Sequence, residues 1–289
     1  MSENDQAPPR RRVLVALDAA EDAPALLEAA AELAQRMHAE LRGLFVEDTE
    51  LLELGANPLI RTVSSYSTAA RTPQAREMER ALRRQVLVAR EAMERAARAR
   101  RIVSSFEVTR GRLLAAIGAL EDAPDLVLVR RTAGHAHQWP GAGRAQRIRA
   151  ITQQVIATVR RPVMILDTRT VARARVIALY DGSAETDKAL AAAAEIAERR
   201  GDDGFAVLPL ADDDEKAHVL GIRAGETAAA HGHRVRILPR VNANVVEIGH
   251  AVSRLGAAIL VLHADHKLLA GEAFPRLLDA TDSSVMVVR

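Results

Sequence analysis

The segment 125–166, DLVLVRRTAGHAHQWPGAGRAQRIRAITQQVIATVRRPVMIL, gathers residue types suited to chemistry. Its order of strand, loop and helix is that of a nucleotide cradle in open α/β sheets. Arg130, Arg131, Arg144, Arg147 and Arg149 cluster around the loop, and guanidinium forks can grip a phosphate with side chains alone. The competing reading is that these arginines fill a former pocket or sit in solvent and ion pairs, their commoner roles. His135 and His137 lie near Trp139, while His263, Asp265 and His266 cluster in the second half. Imidazole and carboxylate at such spacing can hold zinc. Neither cluster offers an i, i+4 pair on a helix, so the expectation is solvent-facing loop histidines and no metal. Ser183 stands beside Asp181 but lacks the G-x-S-x-G elbow of a nucleophile, and is expected to be a helix N-cap. Trp139 reads as a loop anchor. No combination specifies a reaction, so the expectation is a protein that is not an enzyme.

The elements that must position these residues come from an ordinary globular composition. The chain has 289 residues, 48% of them hydrophobic and only 2% aromatic. Cores built from Ala, Val, Leu and Ile suit helices packed closely on a parallel sheet, and aromatic platforms for stacking bases are not expected. With 40 basic against 38 acidic residues the net charge is +2, which argues against a nucleic-acid partner. The absence of cysteine excludes disulfides and thiolate chemistry. No apolar run approaches the roughly 20 residues that span a bilayer, so no membrane is expected and the location is expected to be cytoplasmic. The polar start, with two prolines, reads as a disordered tail over residues 1–11.

Along the chain, the apolar run 13–17 reads as a buried strand and 22–37 as an amphipathic helix. A strand over 41–46 follows, then an irregular stretch over 47–72, and a long helix capped by Thr72 and Pro73. A strand near Phe106, a short helix over 113–120, a strand over 126–129, a helix over 147–159 and a strand over 163–166 complete a half. After a polar linker over 168–174, RVIALYDGS repeats RVLVALDAA, so the chain is a tandem duplication. Both halves end alike, on PVMIL and SVMVV. The expected fold is α/β: two doubly wound, five-stranded parallel sheets with helices on both faces, one domain over 12–167 and one over 175–289.

The order of elements, the Asp that closes each first strand and the ending AITQQVIATVRRPVMIL resemble the universal stress protein family in a tandem two-domain form. The likeness covers nearly all of the chain from Arg12 to Arg289. It implies a Rossmann-like fold, a pseudo-dimer joined through the last strands, and a role in stress response or signalling. It also implies an ATP site built on G-x2-G-x9-G-[ST], because phosphate must approach backbone N–H groups and only Gly leaves room. Asp18 and Asp181, the latter followed by Gly182 and Ser183, match the family position that contacts adenosine. The phosphate positions do not match. In the first half they fall at Arg130, Ala133, Arg149 and Ala150. In the second they fall at His263, His266, Gly271 and Glu272, with a shorter interval and a carboxylate where phosphate should sit. The expectation is therefore a non-catalytic module with degenerate phosphate loops, binding nucleotide weakly or not at all and acting on protein partners or on itself. Two rivals remain. One is an ATP- or AMP-binding switch using Asp18 or Asp181 for adenosine and Arg130, Arg149 and Gly271 for phosphate, and the other is a slow nucleotide hydrolase or transferase.

Overall fold

Short apolar runs without polar alternation make strands that must be covered on both faces. The computed structural model describes residues 11–17, 23–47, 62–64, 67–71, 75–120, 123–131, 154–156, 158–168, 175–199, 205–256, 258–281 and 283–289. By contacts the chain divides into two compact units, residues 1–128 with 136–146 and residues 129–135 with 147–289.

In the first unit, β1 (Arg12–Leu17) leads into α1 (Ala23–Arg36) and then β2 (Glu40–Glu47). Within the stretch expected to be irregular, β3 (Thr62–Ser64) and β4 (Ser67–Arg71) form a two-stranded antiparallel pair. Their polar, Ser- and Thr-rich sequence carries no apolar alternation to announce a strand. The long helix α2 (Ala75–Arg100) follows, then β5 (Ser104–Arg110), α3 (Leu113–Gly118) and β6 (Leu126–Arg130). The strand order is β6-β1-β2-β5, all parallel. Gly43 in β2 is explained by close packing. A Cβ there would stand 2.5 Å from Met93 Sδ of α2 and 2.8 Å from Phe106 Cδ2 of β5.

The second unit holds β7 (Val163–Leu166), β8 (Arg175–Tyr180), α4 (Ala184–Arg199), β9 (Phe205–Pro209), α5 (Asp214–Ala230) and β10 (Val235–Ile237). It continues through α6 (Val245–Leu255), β11 (Ala258–His263), a 3-10 turn (Lys267–Leu269), α7 (Ala273–Ala280) and β12 (Ser284–Val288). The order β10-β9-β8-β11-β12-β7 places five parallel strands beside one antiparallel strand. That strand is β7, which precedes residues 168–174. It pairs Val163 with Val287, Met164 with Met286 and Ile165 with Val285. The strands with the similar sequences VMIL and SVMVV therefore share one sheet.

Helix starts follow capping chemistry. Asp213 accepts from the Lys216 N–H at 2.7 Å, and Asn244 accepts from the Glu247 N–H at 2.9 Å. Glu247 reaches back to the Asn242 N–H at 3.0 Å, satisfying a donor that would otherwise have no partner at the helix end. Among the described residues no helix is long and apolar enough to cross a membrane.

Candidate functional site

In the order β10-β9-β8-β11-β12, the chain leaves β8 for β9 on one side and returns through β11 on the other. The crevice outside the carboxyl ends of β8 and β11 is the switch point at which open α/β sheets bind ligands. Asp181 directly follows β8, and His263 ends β11.

Asp181 spends its carboxylate on its own chain. Oδ1 accepts from the Ser183 N–H at 3.1 Å and from the Ser183 hydroxyl at 2.7 Å, and lies 3.2 Å from the Thr186 hydroxyl. Oδ2 faces His266 Nε2 at 3.8 Å. Burial works to raise the pKa of this carboxyl. The hydrogen bonds from Ser183, the nearby His266 and the Thr186 hydroxyl outweigh it and hold the group below its ordinary range. Ser183 in turn accepts from the Thr186 N–H at 3.4 Å, the contact of an N-cap for α4. Gly182 has φ +83, so the turn favours glycine, and a Cβ there would also displace the tip of Leu220, whose Cδ2 would stand 2.7 Å away. Of the three residues that the resemblance sets at the adenosine position, Ser183 and Asp181 Oδ1 thus serve the start of α4, while Asp181 Oδ2 faces His266.

His263 and His266 were expected to face solvent. They are instead buried, with residue exposures of 2% and 5%. Burial of these rings lets each Nδ1 serve the backbone of its own turn. His263 accepts from the Asp265 N–H at 3.3 Å and His266 from the Leu268 N–H at 3.2 Å. In His266, the accepting Nδ1 fixes the neutral ring with its proton on Nε2. Neither Nε2 has a hydrogen-bond partner among the described residues. Burial pushes the His266 pKa below its ordinary value against the attraction of Asp181, and Lys267 and His263 push the same way as burial. Among the described residues no group of three or more His, Asp or Glu is arranged to hold a metal ion.

The loop after β11 walls a cavity of about 510 Å³, lined by Asp265, Leu269, Gly271, Glu272, Phe274 and Arg289 among others. Two of the four positions matched to the family's phosphate motif, Gly271 and Glu272, stand on this wall. Gly271 does have a left-handed backbone, φ +53. Glu272 opens α7 without a capping hydrogen bond from its side chain, so two carboxylates stand on the walls. A phosphate charge 4 Å from a carboxylate is opposed by about 1 to 4 kcal/mol, depending on solvent access.

Arg131, grouped by sequence with the phosphate-gripping arginines, is committed elsewhere. Its side chain is 5% exposed and pairs with Asp167, itself 6% exposed, at 2.9 Å. It also donates to the carbonyls of Ser283, at 3.3 Å, Leu278 and Thr281. The guanidinium therefore covers the carbonyl end of α7, where a cation is favoured. Arg130 ends β6 and is half-buried. Asp18, His135, His137, Trp139, Arg144, Arg147 and Arg149 lie outside the described residues, as does most of the expected helix over 147–159, of which residues 154–156 and 158 are helical.

Sequence reasoning passed over Thr186, His266 as a buried partner, and the pair of Arg131 with Asp167. The spacing of Ser183 and Thr186 in SAET carries a capping signal that points to the first. Nothing local announces the others.

A doubly wound α/β scaffold with an acidic residue at the switch point defines the class. No protein-family model and no curated protein sequence matches the chain. Solved structures do. The chain is similar to a universal stress protein from Archaeoglobus fulgidus DSM 4304, with a TM-score of 0.65 and 16% identity over 96% of this chain and 98% of that one. It is also similar to the cytoplasmic domain of a prokaryotic cation chloride cotransporter, with a TM-score of 0.53 and 15% identity over 96% of this chain and 95% of that one. The fold is that of the universal stress proteins.

Proposed function

We propose that the chain is a non-catalytic universal-stress-type module for stress response or signalling, whose second repeat no longer cradles a nucleotide phosphate. Its partners are other proteins or further copies of itself. The observation that carries this reading is the internal commitment of Asp181. The carboxylate that would meet an adenosine already accepts from Ser183 and faces His266. The carboxylates of Asp265 and Glu272 on the neighbouring cavity wall support it, since they stand against a single guanidinium among the described lining residues, that of Arg289, which already donates to the carbonyls of Val159 and Ile156, and carboxylates oppose a triphosphate.

Isothermal titration with ATP, ADP and AMP is the test. The expected outcome is no binding tighter than about 1 mM, a standard free energy of about −4 kcal/mol. Micromolar affinity that Asp18→Ala or Asp181→Ala abolishes would establish the nucleotide switch instead. Phosphate release above a heat-treated control would establish a hydrolase.

A further inference from the structure

Among the buried polar groups of the second unit, His266 is placed to do more than pack. Its side chain is 2% exposed. Its Nδ1 accepts the Leu268 N–H at 3.2 Å, and its backbone carbonyl accepts the Leu269 N–H at 2.8 Å. These two bonds open the three-residue 3-10 turn, which continues directly into the cavity wall at Leu269, Gly271 and Glu272. A single turn of this kind has few hydrogen bonds of its own, so each anchoring bond decides much of its stability.

We propose that His266 is an acid-released latch on this turn. In the neutral ring Nδ1 is an acceptor and holds the Leu268 N–H, whereas in the protonated ring Nδ1 carries a hydrogen that confronts that N–H. The same proton strengthens the ring's attraction to Asp181, whose Oδ2 already lies 3.8 Å from Nε2. Protonation therefore exchanges a bond to the turn for a charge pair with the end of β8. The other charged or titratable groups facing the ring are Lys267 on the turn and His263 at the end of β11, and both disfavour the proton. With burial of the ring, the largest influence, they hold the release below the ordinary imidazole value. Once freed, the turn loses the anchor that holds Leu269 and the residues after it, Gly271 and Glu272, against the cavity. The latch does not rest on the proposed function, because it requires only the geometry of the ring, the turn and Asp181.

Amide hydrogen exchange of the full chain tests the latch, followed by NMR from about pH 7.5 to about pH 5 and corrected for the intrinsic pH dependence of exchange. The expected result is a loss of Leu268 and Leu269 protection of roughly tenfold or more on acidification. His266→Asn keeps an acceptor for the N–H two residues on but cannot titrate in this range, so its protection should stay flat. Protection that stays flat in the unaltered chain, or that falls with the same midpoint in His266→Asn, overturns the proposal. If that variant does not fold, imidazole nitrogen shifts of the unaltered chain decide. A neutral ring protonated on Nε2, titrating with the midpoint at which Leu268 loses protection, supports the latch. A neutral ring protonated on Nδ1, or a separate midpoint, overturns it.

Discussion

At the scale of single residues, the two most consequential side chains of the second unit are charged or titratable and buried. Arg131→Met leaves Asp167 buried without this guanidinium, and also uncovers the carbonyls of Leu278, Thr281 and Ser283. Breaking such a pair costs about 3 to 5 kcal/mol, while replacing both partners with apolar groups costs much less. The urea midpoint of the second unit should therefore fall sharply in Arg131→Met and recover in Arg131→Met with Asp167→Leu. Equal losses in the single and double variants would show that the pair does not act as a unit. The pH dependence carries a definite sign. His266 is held neutral, so below its ordinary value of 6.5 the unfolded chain takes up a proton that the folded chain resists. Its contribution to stability is full above that value and is lost as pH falls. Asp181 acts in the same direction lower down. Its folded carboxyl ionises more readily than its ordinary value of 3.8, so its contribution is full above 3.8 and is lost as pH falls through the folded value. The urea midpoint should drop between about pH 7 and pH 5, and His266→Asn should remove most of that slope. A midpoint that rises over this range would contradict the His266 assignment, and one that rises as pH falls below 3.8 would contradict that of Asp181. These roles were hidden because Arg131 and its carbonyl acceptors lie 147 to 152 positions apart, and sequence patterns describe neighbours, not distant partners.

At the scale of elements, most of the architecture was legible. The apolar run over 163–166 and the helix over 245–255 stand where expected, because continuous apolar runs and an Asn-capped periodic stretch are strong local signals. The pair β3 and β4 was not, since Thr62–Ser64 and Ser67–Arg71 have turn-like composition. The direction of β7 was not legible either. A four-residue apolar run looks the same whether its neighbour is parallel or antiparallel, and only the sheet reveals which. Packing between elements adds a further constraint at Gly249 of α6. A Cβ there would stand 2.6 Å from Ala280 Cβ and 2.7 Å from the Ala280 carbonyl oxygen. The second contact is backbone, so no side-chain rotation relieves it. Gly249→Ala should cost about 1 to 3 kcal/mol by overpacking, although alanine favours an isolated helix by up to about 1 kcal/mol. A Gly249→Ala chain whose thermal midpoint is unchanged or higher would show that α7 can withdraw without penalty.

At the scale of the whole molecule, the question is whether residues 175–289 stand alone. Their strand β12 is covered by β7, from before residue 168, through Val163, Met164 and Ile165. Arg131 and Asp167 also come from before the linker, and the Asp167 N–H donates to Ser284 at 3.0 Å. A chain of residues 175–289 would lose all of these. It would present β12, with Val285, Met286 and Val287 all 7% exposed or less in the full chain, as a long apolar edge with unpaired backbone groups. Such edges recruit another strand. Two copies of β12 can supply it, because antiparallel pairing is two-fold symmetric and Met286 can take the place that Met164 holds opposite it. The excised chain should therefore run as a dimer or aggregate in light scattering after gel filtration. Adding back residues 125–168 in trans should shift it toward a one-to-one complex. A stable, soluble monomer of 175–289 would mean that β7 and Arg131 adorn a unit already complete without them.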